Sequence, residues 1–205
     1  GETAAPAWQL FIRGLWASGL RLSEALRLRW DYAPKGFAVQ LNGRQSVLVI
    51  DGAAQKNRKA QTCPLAPEAV QLLEPLELAT RHVFTLLKAN GKPYSRNKQT
   101  ISKVIVRIGE RAGVKVDAET GKCASAHDFR RVFGFRWSRL VMPTELKELM
   151  RHADINTTMD YYVGTQAEST AAPLWKARER AEGPSKVQFQ VQSGEIAGSG
   201  DRKTI

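Results

Sequence analysis

The chain has 205 residues, 42% of them hydrophobic, enough for one well-cored domain with appendages. Lys and Arg number 31 against 20 Asp and Glu, giving a net charge of +11 and a pI near 10.0, so nucleic acid is the leading partner class and an anionic membrane surface the second. No apolar run approaches the roughly 18 residues of a membrane helix, no secretory signal opens the chain, and Cys63 and Cys123 supply neither a disulfide framework nor zinc-site spacing.

Residues 6–18 read as a helix, with Pro6 in its first turn and Trp8, Phe11, Ile12 and Leu15 at helical spacing as a core stripe. Gly19 breaks the run before GLRLSEALRLRW, where Ser23 is expected to cap a second helix carrying Ala25 and Leu26. From Phe37 to Leu65 the texture turns to strands. FAVQL, an Asn42-Gly43 turn and SVLVI form a hairpin signal, and QTCPL follows the polar basic loop AAQKNRKA. That predicts a small three-stranded antiparallel sheet.

The rest is helical. APEAVQLLE opens on Pro67 and Glu68, and Ile101, Val104, Ile105, Ile108 and Ala112 form the stripe of another helix, ended by Gly113. Residues 114–124 read as a loop. A helix from about His127 to Leu140 sets Phe129, Phe133 and Trp137 on its apolar side. Pro143 and Thr144 start TELKELM, and Thr157 or Thr158 is expected to cap the next helix. Residues 165–183 are expected to form one more, interrupted at Pro173. Residues 184–205 read as a mobile tail in which VQFQV has the pattern of an edge strand. No internal repeat is present. The class expected is a mainly α-helical α+β domain.

Three stretches carry chemistry: Arg21 at a helix start, His127 and Arg130 three apart in HDFRR, and RHADINTTMDYYV with His152 and the pair Tyr161, Tyr162. The basic loop adds Lys56, Arg58 and Lys59. Taken singly, each is an ordinary surface or packing residue. Together, two arginines, two histidines, a lysine and a tyrosine without an acidic cluster suit a phosphodiester. Arginine's fork matches phosphate oxygens and keeps its charge, a tyrosine hydroxyl can attack phosphorus, and two-metal nuclease chemistry needs paired carboxylates.

This ordered set resembles the tyrosine recombinases of the phage integrase type. Gly19-Leu20-Arg21-Leu22-Ser23-Glu24 is similar to the first arginine box, with Glu24 at its acidic position. Lys56, eight residues before Pro64, resembles the hairpin lysine, ahead of its neighbours Arg58 and Lys59. His127 and Arg130 match the His-x-x-Arg box. His152 precedes Tyr161 by nine residues, which selects Tyr161 over Tyr162; adjacent tyrosines on a helix point about 100° apart. The likeness covers roughly residues 8 to 165. It departs from the pattern at Arg151, where many relatives carry Gly.

The resemblance implies a site-specific recombinase in which Tyr161 forms a 3′-phosphotyrosyl link and frees a 5′-hydroxyl. Arg21, Arg130 and His152 would hold the non-bridging oxygens, and Lys56 would protonate the leaving oxygen. His127 would assist proton transfer or orient the phosphate. Glu24 would orient Arg21, and Arg58, Lys59, Arg131 and Arg151 are candidate DNA contacts. It also implies double-stranded DNA at a specific site as partner, a homo-oligomer (a tetramer) on that DNA, action in the cytoplasm, and no metal or cofactor. A catalytically silent DNA-binding regulator and a type IB topoisomerase-like relaxing enzyme are the alternatives. Residues 1–183 are expected to be the catalytic domain, with 165–183, through Leu174 and Trp175, packing on a neighbouring subunit. Because the chain opens on Gly rather than Met and holds nothing resembling the family's N-terminal core-binding domain, it reads as an expressed fragment.

Overall fold

A computed structural model describes residues 4–55, 58–76, 80–162, 174–178 and 180. The chain divides into two compact units, Gly1–Gly164 and Thr165–Ile205.

In the first unit, helix α1 (Ala4–Ser18) starts two residues ahead of Pro6 and buries Trp8, Phe11 and Leu15, as their spacing predicts. The Trp8 indole N–H donates to the Leu87 carbonyl at 3.0 Å, so this stripe is core rather than an exposed stacking platform. Helix α2 (Leu22–Ala25) is a single turn whose N-cap is Arg21, not Ser23. Strands β1 (Leu28–Arg29), β2 (Phe37–Gln40), β3 (Val47–Ile50) and β4 (Gln61–Pro64) follow.

The sheet departs from expectation. It has four strands in the order β1-β2-β3-β4, and β1 runs parallel to β2, pairing Leu28 with Phe37 and Arg29 with Ala38. The other two pairings are antiparallel, Phe37 opposite Ile50 and Val47 opposite Pro64. The missed strand is two residues long and sits in a Leu/Arg run that reads locally as helix. It is held open from outside: the Val83 N–H donates to the Leu28 carbonyl and the Trp30 N–H to the Arg81 carbonyl, each near 3.0 Å. The β2–β3 connection is also wider than an Asn-Gly two-residue turn, because the Ser46 hydroxyl donates to the Gly43 carbonyl at 2.7 Å and accepts the Asn42 N–H at 2.9 Å.

Helices α3 (Pro67–Leu73), α4 (Lys98–Arg111), α5 (Ala126–Trp137), α6 (Pro143–Met150) and α7 (Asn156–Met159) complete the unit, with α1 packed against α3 and α5. Thr157 and Thr158 lie within α7, and Ile155 is its N-cap, so neither threonine caps it. Two hydrophobic clusters result. The larger joins α1, the sheet and α4 through Phe11, Leu15, Leu48, Ile50, Ile101 and Ile105. The smaller gathers Phe133, Leu146, Leu149 and Met150, with Trp137, Tyr161 and Tyr162 packed against it. Tyr161 and Tyr162, downstream of α7, are held against this second cluster.

In the second unit, residues 174–178 and 180 are helical, and the Arg178 guanidinium lies over the Trp175 ring at 5.7 Å. Residues 165–173 and 181–205, including Pro173 and VQFQV, lie outside the described residues.

Candidate active site

The site begins where α1 stops. Gly19 ends the helix at φ +59°, and a Cβ there would stand 2.4 Å from the Phe133 ring, so both conformation and space require glycine. Two residues on, Arg21 caps α2, and Glu24 folds back onto it. Glu24 Oε2 accepts the Arg21 backbone N–H at 2.8 Å and Oε1 accepts Arg21 Nη1 at 2.7 Å. Burial alone would raise the Glu24 carboxyl, but the Arg151 guanidinium, the Arg21 N–H and the Arg21 side chain hold it below the usual carboxylate range.

Helix α5 supplies the second arginine. Asp128 accepts both the N–H and the hydroxyl of Ser125, at 2.9 and 2.6 Å, which fixes the first turn that carries His127. Arg130 is 4% exposed. Its Nη1 donates to the Gly19 carbonyl at 2.5 Å and its Nη2 to the Met150 carbonyl. One guanidinium therefore joins the end of α1 to the end of α6. Burial, with Arg151 and Arg21 nearby, pushes Arg130 down to about 9, still charged at neutral pH. Arg21, His127 and Arg130 line a common cleft of about 250 Å³ with Lys98, Ser102 and Ser125.

Helix α6 ends on Arg151, whose backbone is left-handed at φ 55° and ψ 46°. The turn that glycine makes easily is thus kept with a side chain present, and the guanidinium points inward to Glu24 Oε2 at 2.9 Å. The next residue, His152, shares a hydrogen bond of 2.9 Å between Nδ1 and the hydroxyl of fully buried Thr158. Burial and the charges of Arg130, Arg21 and Arg151 push His152 down to about 4, so its ring is neutral at pH 7. In the tautomer where the Thr158 hydroxyl donates to Nδ1, the ring proton sits on Nε2, where an oxyanion could accept it. Tyr161 stacks on that imidazole, with ring centroids 6.0 Å apart, and meets Phe135 edge-on at 5.0 Å. Tyr162 points elsewhere, its hydroxyl donating to the Val141 carbonyl at 2.8 Å.

Arg21, His127, Arg130, His152 and Tyr161 thus converge. Three guanidiniums (Arg21, Arg130, Arg151) face one carboxylate (Glu24), which leaves two positive charges beside a neutral histidine. A site of that charge favours an anion, and favours it more as the anion's charge grows. Lys56 lies outside the described residues. Its loop borders the site, because Gln55, Lys59 and Gln61 line a cleft shared with Lys147, Arg151 and His152. Arg58 and Lys59 are exposed. The Arg131 side chain is 53% exposed and makes a long 3.9 Å ion pair with Asp128. Among the described residues, no group of three or more His, Cys, Asp or Glu side chains is placed to hold a metal ion. No described helix is long and apolar enough to cross a membrane.

The model of the phage integrase family matches residues 3–168. The chain belongs to the phage integrase family. Comparison with curated proteins finds no match. Among solved structures, the fold is similar to that of the Tn1549 transposon integrase in complex with transposon right end DNA, at 20% identity and a TM-score of 0.52, over 82% of this chain and 57% of that one. It is similar also to the XerH site-specific recombinase bound to palindromic difH substrate in a post-cleavage complex, at 22% identity and a TM-score of 0.52, over 82% and 45% of the two chains. For XerA recombinase the values are 16% identity and a TM-score of 0.51, over 84% and 63%. The chain spans about half the length of the first two, and at these identities the likeness is one of fold.

Within this integrase-family domain, sequence reasoning passed over two residues that shape the site. Thr158, expected only as one of two candidate caps with Thr157, is the partner of His152. Gly134 lies under the Tyr161 ring: a Cβ there would stand 2.4 Å from Tyr161 Cε1 and 2.8 Å from Met150 Sδ. Gly134→Ala is expected to gain helix propensity of about 1 kcal/mol while displacing Tyr161. Its melting temperature should therefore stay near wild type while any DNA cleavage that depends on Tyr161 drops, as thermal melts beside cleavage assays would show. A variant cleaving at the wild-type rate would mean that the ring is free to move.

His152 also gives a pH signature. Its folded pKa, about 4, lies below the ordinary 6.5, so the unfolded chain takes up a proton that the folded chain resists. The resulting penalty is absent above 6.5, grows as pH falls toward 4, and is complete below it. Between about pH 7.5 and pH 5, wild type should lose more melting temperature than His152→Asn. Parallel slopes for the two proteins would show that the fold does not hold this ring neutral.

Proposed function

We propose that this chain cuts and rejoins DNA strands as a site-specific recombinase, with Tyr161 as nucleophile. The observation that carries the reading is the Tyr161 ring stacked on a neutral His152 beside a buried arginine cluster with surplus positive charge. Tyr161 Oη attacks the phosphorus of a phosphodiester. A P–O bond to Tyr161 forms as the P–O5′ bond breaks, leaving a 3′-phosphotyrosyl chain and a 5′-hydroxyl. Arg21, Arg130 and His152 bind the non-bridging oxygens, whose charge rises in the pentacoordinate state. Lys56 delivers a proton to the leaving O5′. His127 assists removal of the Tyr161 proton or orients the phosphate. Attack by the 5′-hydroxyl of a second strand reverses the step, and because the phosphotyrosyl ester conserves the bond energy, no nucleotide triphosphate is consumed.

The partner in this reading is double-stranded DNA carrying a specific site, met in the cytoplasm and engaged by several copies of the protein, four at a full exchange. Arg58, Lys59 and Arg131 contact its phosphates, and affinity falls steeply with salt. Exposed Lys98, Lys103 and Arg107 extend the basic surface along α4. The test is covalent capture on nicked duplexes built from the sequences flanking the gene, where the nick lets the cleaved 5′ fragment diffuse away. A protein–DNA band on a denaturing gel is expected. Retarded duplex without that band would favour a silent DNA-binding regulator, and relaxation of supercoiled plasmid without strand exchange a topoisomerase-like enzyme.

A further inference from the structure

Arg151 holds a left-handed backbone, which glycine adopts freely and other residues adopt at a cost. What the side chain does there accounts for its presence. It is 5% exposed, so it does not reach into solvent. Nη1 donates to the Leu149 carbonyl at 2.8 Å, and Nη2 donates to Glu24 Oε2 at 2.9 Å and to the Gly19 carbonyl at 3.3 Å. The Arg151 carbonyl in turn accepts Arg21 Nη2 at 3.3 Å. Glu24 is thereby divided, Oε1 to Arg21 and Oε2 to Arg151, while Gly19 presents one carbonyl to both Arg151 and Arg130. A single side chain touches the anchors of both phosphate-facing arginines and immediately precedes His152.

We infer that Arg151 is a positioning residue for strand cleavage, fixing the Arg21–Glu24 pair and the Gly19 carbonyl rather than contacting DNA itself. The inference rests on the proposed cleavage reaction. Without Arg151, Glu24 keeps only Arg21 as its ion-pair partner, and the Arg21 side chain is 46% exposed and able to swing away. Four groups face the Glu24 carboxylate: Arg21 from its own turn, Arg151 from the end of α6, Arg130 from α5 and the Cys63 thiol from β4. Of the charges that hold Glu24 ionised against burial, Arg151 contributes most. Its loss makes Glu24 easier to protonate, and a protonated Glu24 releases Arg21.

The test compares the full chain with Arg151→Gly, Arg151→Lys and Arg151→Gln in single-turnover capture on the nicked duplex. Glycine suits the left-handed backbone, so Arg151→Gly should fold. It should bind duplex within about threefold of wild type yet form adduct on the order of 100-fold more slowly. The deficit should widen as pH falls, because Glu24 without Arg151 is easier to protonate. Arg151→Lys should recover part of the rate, returning charge without the fork, and Arg151→Gln none. Carbon-13 titration of labelled glutamates, with Glu24 assigned by Glu24→Gln, should show the Glu24 midpoint rising in Arg151→Gly. A wild-type rate in the glycine variant, a loss confined to affinity, or an unmoved Glu24 midpoint would each overturn the inference. If Arg151→Gly fails to fold, Arg151→Lys and Arg151→Gln decide between the same outcomes. If wild type itself forms no adduct, the cleavage reading fails, while the Glu24 titration still judges the coupling.

Discussion

Tyr161→Phe is expected to abolish covalent capture of DNA, by more than roughly 1000-fold, while leaving fold and duplex binding intact. The change removes one oxygen from a half-buried ring that keeps its contacts with His152 and Phe135. Burial raises the Tyr161 phenol above its ordinary pKa, although Arg130 and Arg131 pull it back, so the hydroxyl is neutral near pH 7 and in the proposed reaction would lose its proton as it attacks. Tyr162→Phe is the matched control. It breaks the hydrogen bond to the Val141 carbonyl, costing about 0.5–1.5 kcal/mol of stability, and leaves the cleft untouched. Denaturing gels of the two variants check the contrast. A band lost in Tyr162→Phe and retained in Tyr161→Phe would reverse the assignment.

The second large effect separates the two arginines. Arg21→Ala and Arg130→Ala should each slow cleavage on the order of 100- to 1000-fold, because each removes a preorganised donor from a site built for growing negative charge. Their effects on stability should differ. Arg21 is half-exposed, and buried Glu24 keeps Arg151 as its ion-pair partner when Arg21 is lost, so Arg21→Ala should cost the less stability of the two. Arg130 is buried against the Gly19 and Met150 carbonyls, and its removal strands the Met150 carbonyl and leaves Gly19 only the longer bond from Arg151. An unsatisfied buried group costs about 1–3 kcal/mol, so Arg130→Ala should lose about that much. Urea melts of the two proteins measure the difference. Equal stability in both would show that Arg130 does not tie α1 to α6.

The elements legible in the sequence are those whose period is written into consecutive residues. Trp8, Phe11 and Leu15 mark α1, Ile101 and Ile105 mark α4, and the apolar run 47–50 pairs as expected with 37–40 and 61–64. What was not legible depends on partners distant in the chain. Strand β1 exists because segment 81–83 and β2 flank it, and its own two residues carry no strand signal. At the site, residue types and their order marked Arg21, His127, Arg130, His152 and Tyr161 as candidates. The bonds that orient them were hidden. No local pattern says that the Gly19 carbonyl, 111 residues from Arg130, receives its guanidinium, or that Arg151 turns inward to Glu24 across 127 residues. Thr158 looked like a cap because threonine often is one. Gly134 gave no signal at all, since its function is to leave room for a ring that arrives from α7 onward.

The most direct measurement is tandem mass spectrometry of the trapped adduct after nuclease and trypsin digestion. The peptide that begins at His152 contains both tyrosines, and its fragment ions separate them. A nucleotide 3′-phosphate on Tyr161 is the predicted result. The same mass on Tyr162, on a serine or on a histidine, or an unmodified peptide from DNA that has been cut, would contradict Tyr161 as the nucleophile.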